Sequence, residues 1–197
     1  MRNRGRRFLD AGLSPVWVLI IINFMVFIAT TISGNIIYQL GLVPASLAQR
    51  PWTLFTALFV HANFWHIFGN MVTLYFFGTF LSRLIGNSRF LIVYFVGGII
   101  GNLVFLALGP SNAIAIGASG AVYAVAGTLV VLVPKLRVAL WGVIPMPLWV
   151  LILVFFILWP FIFGFDLNIA WQAHIGGLAV GIIAGFIFRR LGRYYIR

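Results

Sequence analysis

The chain has 197 residues, 63% hydrophobic and 8% charged, too little polar surface to cover a water-soluble fold, so it reads as an integral membrane protein. Its net charge of +11 is explained by membrane topology and needs no nucleic acid. With no cysteine there is no disulfide, thiolate metal site or cysteine nucleophile, and with no glutamate the His-Glu-x-x-His zinc proteases are excluded.

Residues 1–14 carry Arg2, Arg4, Arg6 and Arg7 and read as a cytoplasmic basic segment. An apolar run of spanning length follows from Pro15 to about Ser33, with no small-residue cleavage site, so the first helix is expected to stay in the membrane. Residues 34–60 form a long, greasy connection broken by Gly34, Gly41, Pro44 and Pro51; it is expected to lie partly in the membrane interface, with Tyr38 and Trp52 as anchors. The apolar pattern predicts a second helix over 64–85, a third over 90–108 and a fourth over 119–133. Pro134, Pro145 and Pro147 bracket a connection to a fifth helix over 148–163, and a sixth covers 171–188. The expected fold is an all-α membrane protein: one six-helix domain over 15–190, with a short fourth helix, a membrane-associated first loop and a basic tail over 191–197.

Six spans put both termini on one side. Lys and Arg crowd cytoplasmic connections, and with the amino terminus inside, 12 of the 13 basic residues fall there, leaving only Arg50 outside. This orientation puts Asp10 and Asp166, the sole acids, on opposite sides of the bilayer, so an aspartyl pair is not expected. Hydrolytic chemistry is left to Ser, Thr, Tyr, His or Asn.

The same map brings His61, His66, Asn70, Ser119 and His174 to the outer side. Fifteen residues make a helix of about 22 Å against a hydrocarbon core of about 30 Å, so Ser119 is recessed. The preceding loop, 109–117, must dip into the membrane, where irregular backbone is tolerated only against protein or a water-filled cavity. A pocket open to the extracytoplasmic side is expected there.

Ser119 lies among small residues, which by itself suits close helix packing as well as a nucleophile. A neighbouring imidazole must take its proton during attack, and His174 is the candidate. Gly177, Gly181 and Gly185 repeat at small-xxx-small spacing opposite Gly120, Ala124 and Gly127; if those faces meet, His174 comes beside Ser119. The bland alternative for His174 is an interhelical hydrogen bond. Tyr123, one turn below Ser119, either packs on the His174 ring or is simply core. His66 and Asn70 share a helix face and, with the Ser119 N–H, could stabilise an oxyanion; alone, the pair would be structural. His61 reads as a brace for the loop. Three histidines invite zinc, but the carboxylates that orient such ligands are lacking, so no metal or other cofactor is expected. Asp166 reads as a surface residue, leaving a dyad.

Assembled, these residues resemble the rhomboid family of intramembrane serine proteases. The matching motifs are Gly117-Ala118-Ser119-Gly120 with Tyr123, His66-x-x-x-Asn70 preceded by His61, and Ala173-His174-Ile175-Gly176-Gly177. They occur in the family's order, and the resemblance covers about 15–190. It implies cleavage of transmembrane protein substrates by a Ser119–His174 dyad, with His66, Asn70 and the Ser119 backbone as oxyanion hole, Tyr123 packed on the histidine, and Gly117 and Gly120 in support. The second and fifth helices, the latter bearing Phe155, Phe156 and Trp159, resemble its lateral gate. Many members carry Trp-Arg in the first loop where this chain has Trp52-Thr53, which leaves the fastening of that loop open. The alternatives are a silent relative that holds membrane clients without cutting them, and a small transporter. The latter would carry its polar groups near the midplane, not toward one side. The physiological substrate and oligomeric state are not specified by the sequence.

Overall fold

The computed structural model describes residues 14–140, 143–154 and 170–192. Asp10, Asp166, Phe155, Phe156, Trp159, Arg2, Arg4, Arg6, Arg7, Arg193 and Arg197 lie outside them. Among the described residues three helices are long and apolar enough to cross a membrane: α1 (Pro15–Ile32), α6 (Asn87–Leu108) and α9 (Trp171–Arg190). Between these lie α2 (Asn35–Leu40), α3 (Thr53–Thr56), α4 (Phe64–Thr73), α5 (Thr79–Ile85), α7 (Ser119–Leu132) and α8 (Leu148–Leu151). One π turn, Leu74–Gly78, joins α4 to α5 without a break, so the expected second helix is continuous. The expected fifth helix begins at Leu148 and is described only as far as residue 154.

Helix boundaries have local causes. Ser14 caps α1 by accepting the Trp17 N–H, and Pro15 takes the first position, where a missing N–H costs nothing. Asn63 caps α4 by accepting the His66 N–H at 2.9 Å. Gly86, at φ +88°, turns the chain in one residue, so the third helix starts at Asn87 and not at the expected Phe90.

The first connection is fastened by its own side chains. The last carbonyls of α2 lack intrahelical partners. Arg50 donates to the Tyr38 carbonyl, Trp52 Nε1 to Gln39 (3.0 Å) and Thr56 Oγ1 to Leu40 (2.7 Å). Thr53 is buried and donates to the Arg50 carbonyl (2.7 Å). Tyr38 and Trp52 are exposed.

One element departs from the all-α expectation. Within the connection 134–147, β1 (Arg137–Leu140) pairs antiparallel with β2 (Ile144–Pro147), Arg137 opposite Pro147 and Leu140 opposite Ile144. The Leu148 N–H closes the base of this hairpin on the Leu136 carbonyl (2.9 Å). Prolines 145 and 147 bar a helix here but are tolerated on an edge strand.

The fourth helix is the hub. α7 is only 14 residues, about 21 Å, yet 12 of them are buried, so protein surrounds a helix too short to span lipid alone. Small residues bring α9 against it. A side chain on Gly177 would begin 1.9 Å from the Gly120 carbonyl, and one on Gly181 would begin 2.1 Å from that of Ala124. The third expected pair does not form: Gly185 meets Val131 and Thr128, while Gly127 meets Leu178 and Ile182. The reason is spacing, three residues from Ala124 to Gly127 against four from Gly181 to Gly185. α6 packs by the same means, Gly97 against Ala124 and Gly101 against the Ala173 carbonyl. Thr128, fully buried, bridges the two helices through contacts with the Ala124 (2.9 Å) and Gly181 (3.0 Å) carbonyls.

A Gly177→Val substitution meets backbone, not a side chain that can swing aside. It is expected to destabilise the protein by about 3 kcal/mol, read as a lowered midpoint of unfolding in detergent. An unchanged midpoint would mean that the helices do not touch there.

Candidate active site

The register set by Gly120 and Gly177 decides where the flanking residues fall. Ser119 precedes Gly120 at the start of α7, and His174 lies one turn before Gly177. Their side chains meet: Ser119 Oγ is 2.7 Å from His174 Nε2. Neither residue is fully buried. Tyr123 stacks on the His174 ring with centroids 4.5 Å apart and planes at 11°, which restricts rotation of the imidazole.

The loop before Ser119 is docked on the first connection. Leu42 and Ala115 exchange both backbone hydrogen bonds (3.0 and 2.8 Å), and the Gly117 N–H donates to the Ala57 carbonyl (2.9 Å). The Ala118 N–H donates to His61 Nε2 at 3.4 Å. This contact links His61, at the end of the first connection, to the turn into α7. The His61 Nδ1 is buried without a hydrogen-bond partner among the described residues.

Burial, with a smaller effect of the neighbouring His66, pushes the His61 imidazole down to about 3. The unfolded chain takes a proton there below 6.5, while the fold does so only near 3. Stability therefore falls as pH drops through that window. His61→Gln, which cannot titrate, is expected to flatten the acid side of the stability profile; an unaltered slope would contradict this role.

His66 packs edge-on against His61, centroids 4.9 Å apart. Its Nδ1 accepts the Ala62 N–H at 3.4 Å, so the neutral ring carries its proton on Nε2. That nitrogen borders the space left by the missing side chain of Gly117. A Cβ there would lie 2.7 Å from His66 Nε2 and 3.7 Å from Ser119 Oγ, and Gly117 has φ +119°, where a side chain is strained in any case. An acceptor atom in this space is within hydrogen-bonding distance of His66 and close to the serine oxygen.

The first N–H groups of a helix lack intrahelical partners, and that of Ser119 makes no hydrogen bond among the described residues. Asn70 differs from expectation in part. One of its amide N–H bonds is committed to the His66 carbonyl (2.8 Å), a local bond between residues four apart, which leaves one. Two contributors were not singled out from the sequence: Asn63, legible as a helix cap, and the Ala62 N–H, which fixes the His66 tautomer and has no sequence signal.

A serine hydroxyl on an imidazole, beside a space bordered by His66 Nε2, is a constellation suited to acyl transfer. The family model for the Rhomboid domain matches residues 48–191, well over half of the chain. The chain belongs to the rhomboid family. Among its relatives, it is 34% identical over 136 residues to the putative rhomboid protease YdcA of Bacillus subtilis, covering 69% of this chain and 66% of that protein. It is 33% identical over 171 residues to the mitochondrial RHOMBOID-like protein 12 of Arabidopsis thaliana, covering 74% of this chain and 48% of that one. With the rhomboid protease GluP of Bacillus subtilis the identity is 31% over 134 residues, 68% of this chain and 25% of that protein. The chain thus spans between a quarter and two thirds of the length of these rhomboid relatives. Rhomboid membership and the apolar helices together make it a membrane protein.

Proposed function

We propose that this rhomboid protein is a serine endopeptidase that hydrolyses peptide bonds in or near transmembrane segments of membrane-protein substrates. The contact of Ser119 Oγ with His174 Nε2 at 2.7 Å carries the reading. Ser119 attacks the scissile carbonyl carbon as His174 takes its proton, and the carbonyl oxygen becomes an oxyanion in the space beside Gly117. The Ser119 N–H, the His66 Nε2–H and the uncommitted Asn70 N–H are its donors. His174 then gives the proton to the leaving amine, the C–N bond breaks, and an acyl-serine remains. Water, deprotonated by the same imidazole, releases the new carboxylate and restores the serine.

The site belongs to a six-span fold with both termini cytoplasmic and the pocket open to the extracytoplasmic side. The distribution of basic residues supports this orientation. The experiment is reconstitution of the purified protein with a single-span substrate in liposomes. Two separate products, cut at a point within or beside the span, are expected; binding without turnover would instead make the protein a client-holding relative.

A further inference from the structure

The hairpin of β1 and β2 is unused by the chemistry and is composed unlike a water-exposed loop. From Val138 to Phe165 no residue is charged. At the free end of the hairpin Val143 is 79% and Ile144 49% exposed, and Ala139 and Pro145, paired across the strands, are exposed as well. Val138 and Met146, the alternate pair, are half-buried, and Val138 packs against the helical core. The base has the opposite character. Lys135 and Arg137 are both exposed, and no acidic residue occurs among the described residues.

We propose that this hairpin is a lipid-binding element: its apolar end enters the cytoplasmic leaflet, and Lys135 and Arg137 hold the headgroups of anionic phospholipids. A lone two-stranded hairpin is marginal in water, whereas at the membrane interface its apolar end is removed from water while its outer backbone groups stay at the level of headgroups and water. The dimensions agree. Three residues from Arg137 to Leu140 rise about 10 Å, the depth to which interfacial elements bury their apolar faces. Charge complementarity selects the occupant, since two cations with no acid among the described residues favour an anionic leaflet over a neutral one. The inference rests on the orientation given above, with this connection on the cytoplasmic side.

The chain has no cysteine, so a single one can be introduced and labelled. Full-length Val143→Cys protein carrying an environment-sensitive fluorophore is placed in phosphatidylcholine vesicles with and without phosphatidylglycerol. The expected result is strong quenching by nitroxides on the upper acyl chain and protection from aqueous iodide. The protection should be several-fold greater with phosphatidylglycerol, and Lys135→Gln/Arg137→Gln should abolish that difference. Free quenching by iodide, indifference to phosphatidylglycerol, or efficient cross-linking between copies through the introduced cysteine would each overturn the proposal, the last in favour of a second copy as the occupant. A Ser88→Cys control, at the start of α6, separates the two readings. Labelling of position 88 from the cytoplasmic side together with an iodide-accessible position 143 rejects the hairpin alone. Labelling of position 88 from the opposite side rejects the orientation.

Discussion

Ser119→Ala and His174→Ala are each expected to reduce cleavage of a reconstituted single-span substrate to background, a loss on the order of 10⁴-fold or more. Neither change creates a large cavity, because alanine suits the small-residue surroundings of Ser119 and because His174 is only partly buried. Folding can therefore be held constant and checked by unfolding midpoint. The two groups act as a unit, since the alcohol is a weak nucleophile without the base and the base has no catalytic use without the alcohol. The double variant should accordingly be no slower than either single one. Multiplying losses, or retained activity in either single variant, would show that the 2.7 Å contact is a structural hydrogen bond between α7 and α9.

Gly117→Ala is expected to have the next largest effect, a fall in kcat on the order of 10²–10³-fold. The new methyl would occupy the space 2.7 Å from His66 Nε2 in which the oxyanion is to be held, and the backbone at φ +119° strains any residue with a side chain. Strain alone lowers stability and leaves the chemistry of the surviving folded molecules unchanged. The split between kcat per folded molecule and unfolding midpoint therefore distinguishes the two causes. His66→Ala removes a donor from the same space, so its effect combined with Gly117→Ala should be less than the product of the two. A fully active Gly117→Ala protein would mean that the oxyanion is held elsewhere.

The helices were legible where the chain speaks through composition over a long stretch. Apolar runs ending at Gly or Pro gave α1, α6, α7 and α9 to within a few residues, and the glycine spacing of α9 against Gly120 and Ala124 brought His174 to Ser119. Tyr123 was left between two roles because packing on a ring cannot be told from core by position along a helix; the stacked geometry supplies the distinction. The hairpin was not legible. An apolar stretch with prolines satisfies the pattern of a connection as well as that of an edge strand, and pairing between Val138 and Met146 is a tertiary fact. Nor could the sequence show that Asn70 spends an N–H on the His66 carbonyl, a local bond open to any asparagine in a helix. The value of Gly117 was hidden for a similar reason. A motif says that a glycine stands there, and only coordinates show that the absent side chain leaves room beside His66.

The most direct measurement is covalent labelling of the membrane-embedded protein with a fluorophosphonate, with the modified residue located by mass spectrometry. Adduct on Ser119, lost in Ser119→Ala and strongly reduced in His174→Ala, is the expected result. A folded protein that takes up no label, or one labelled at Ser119 equally well without His174, would contradict the assignment of these two side chains as nucleophile and base.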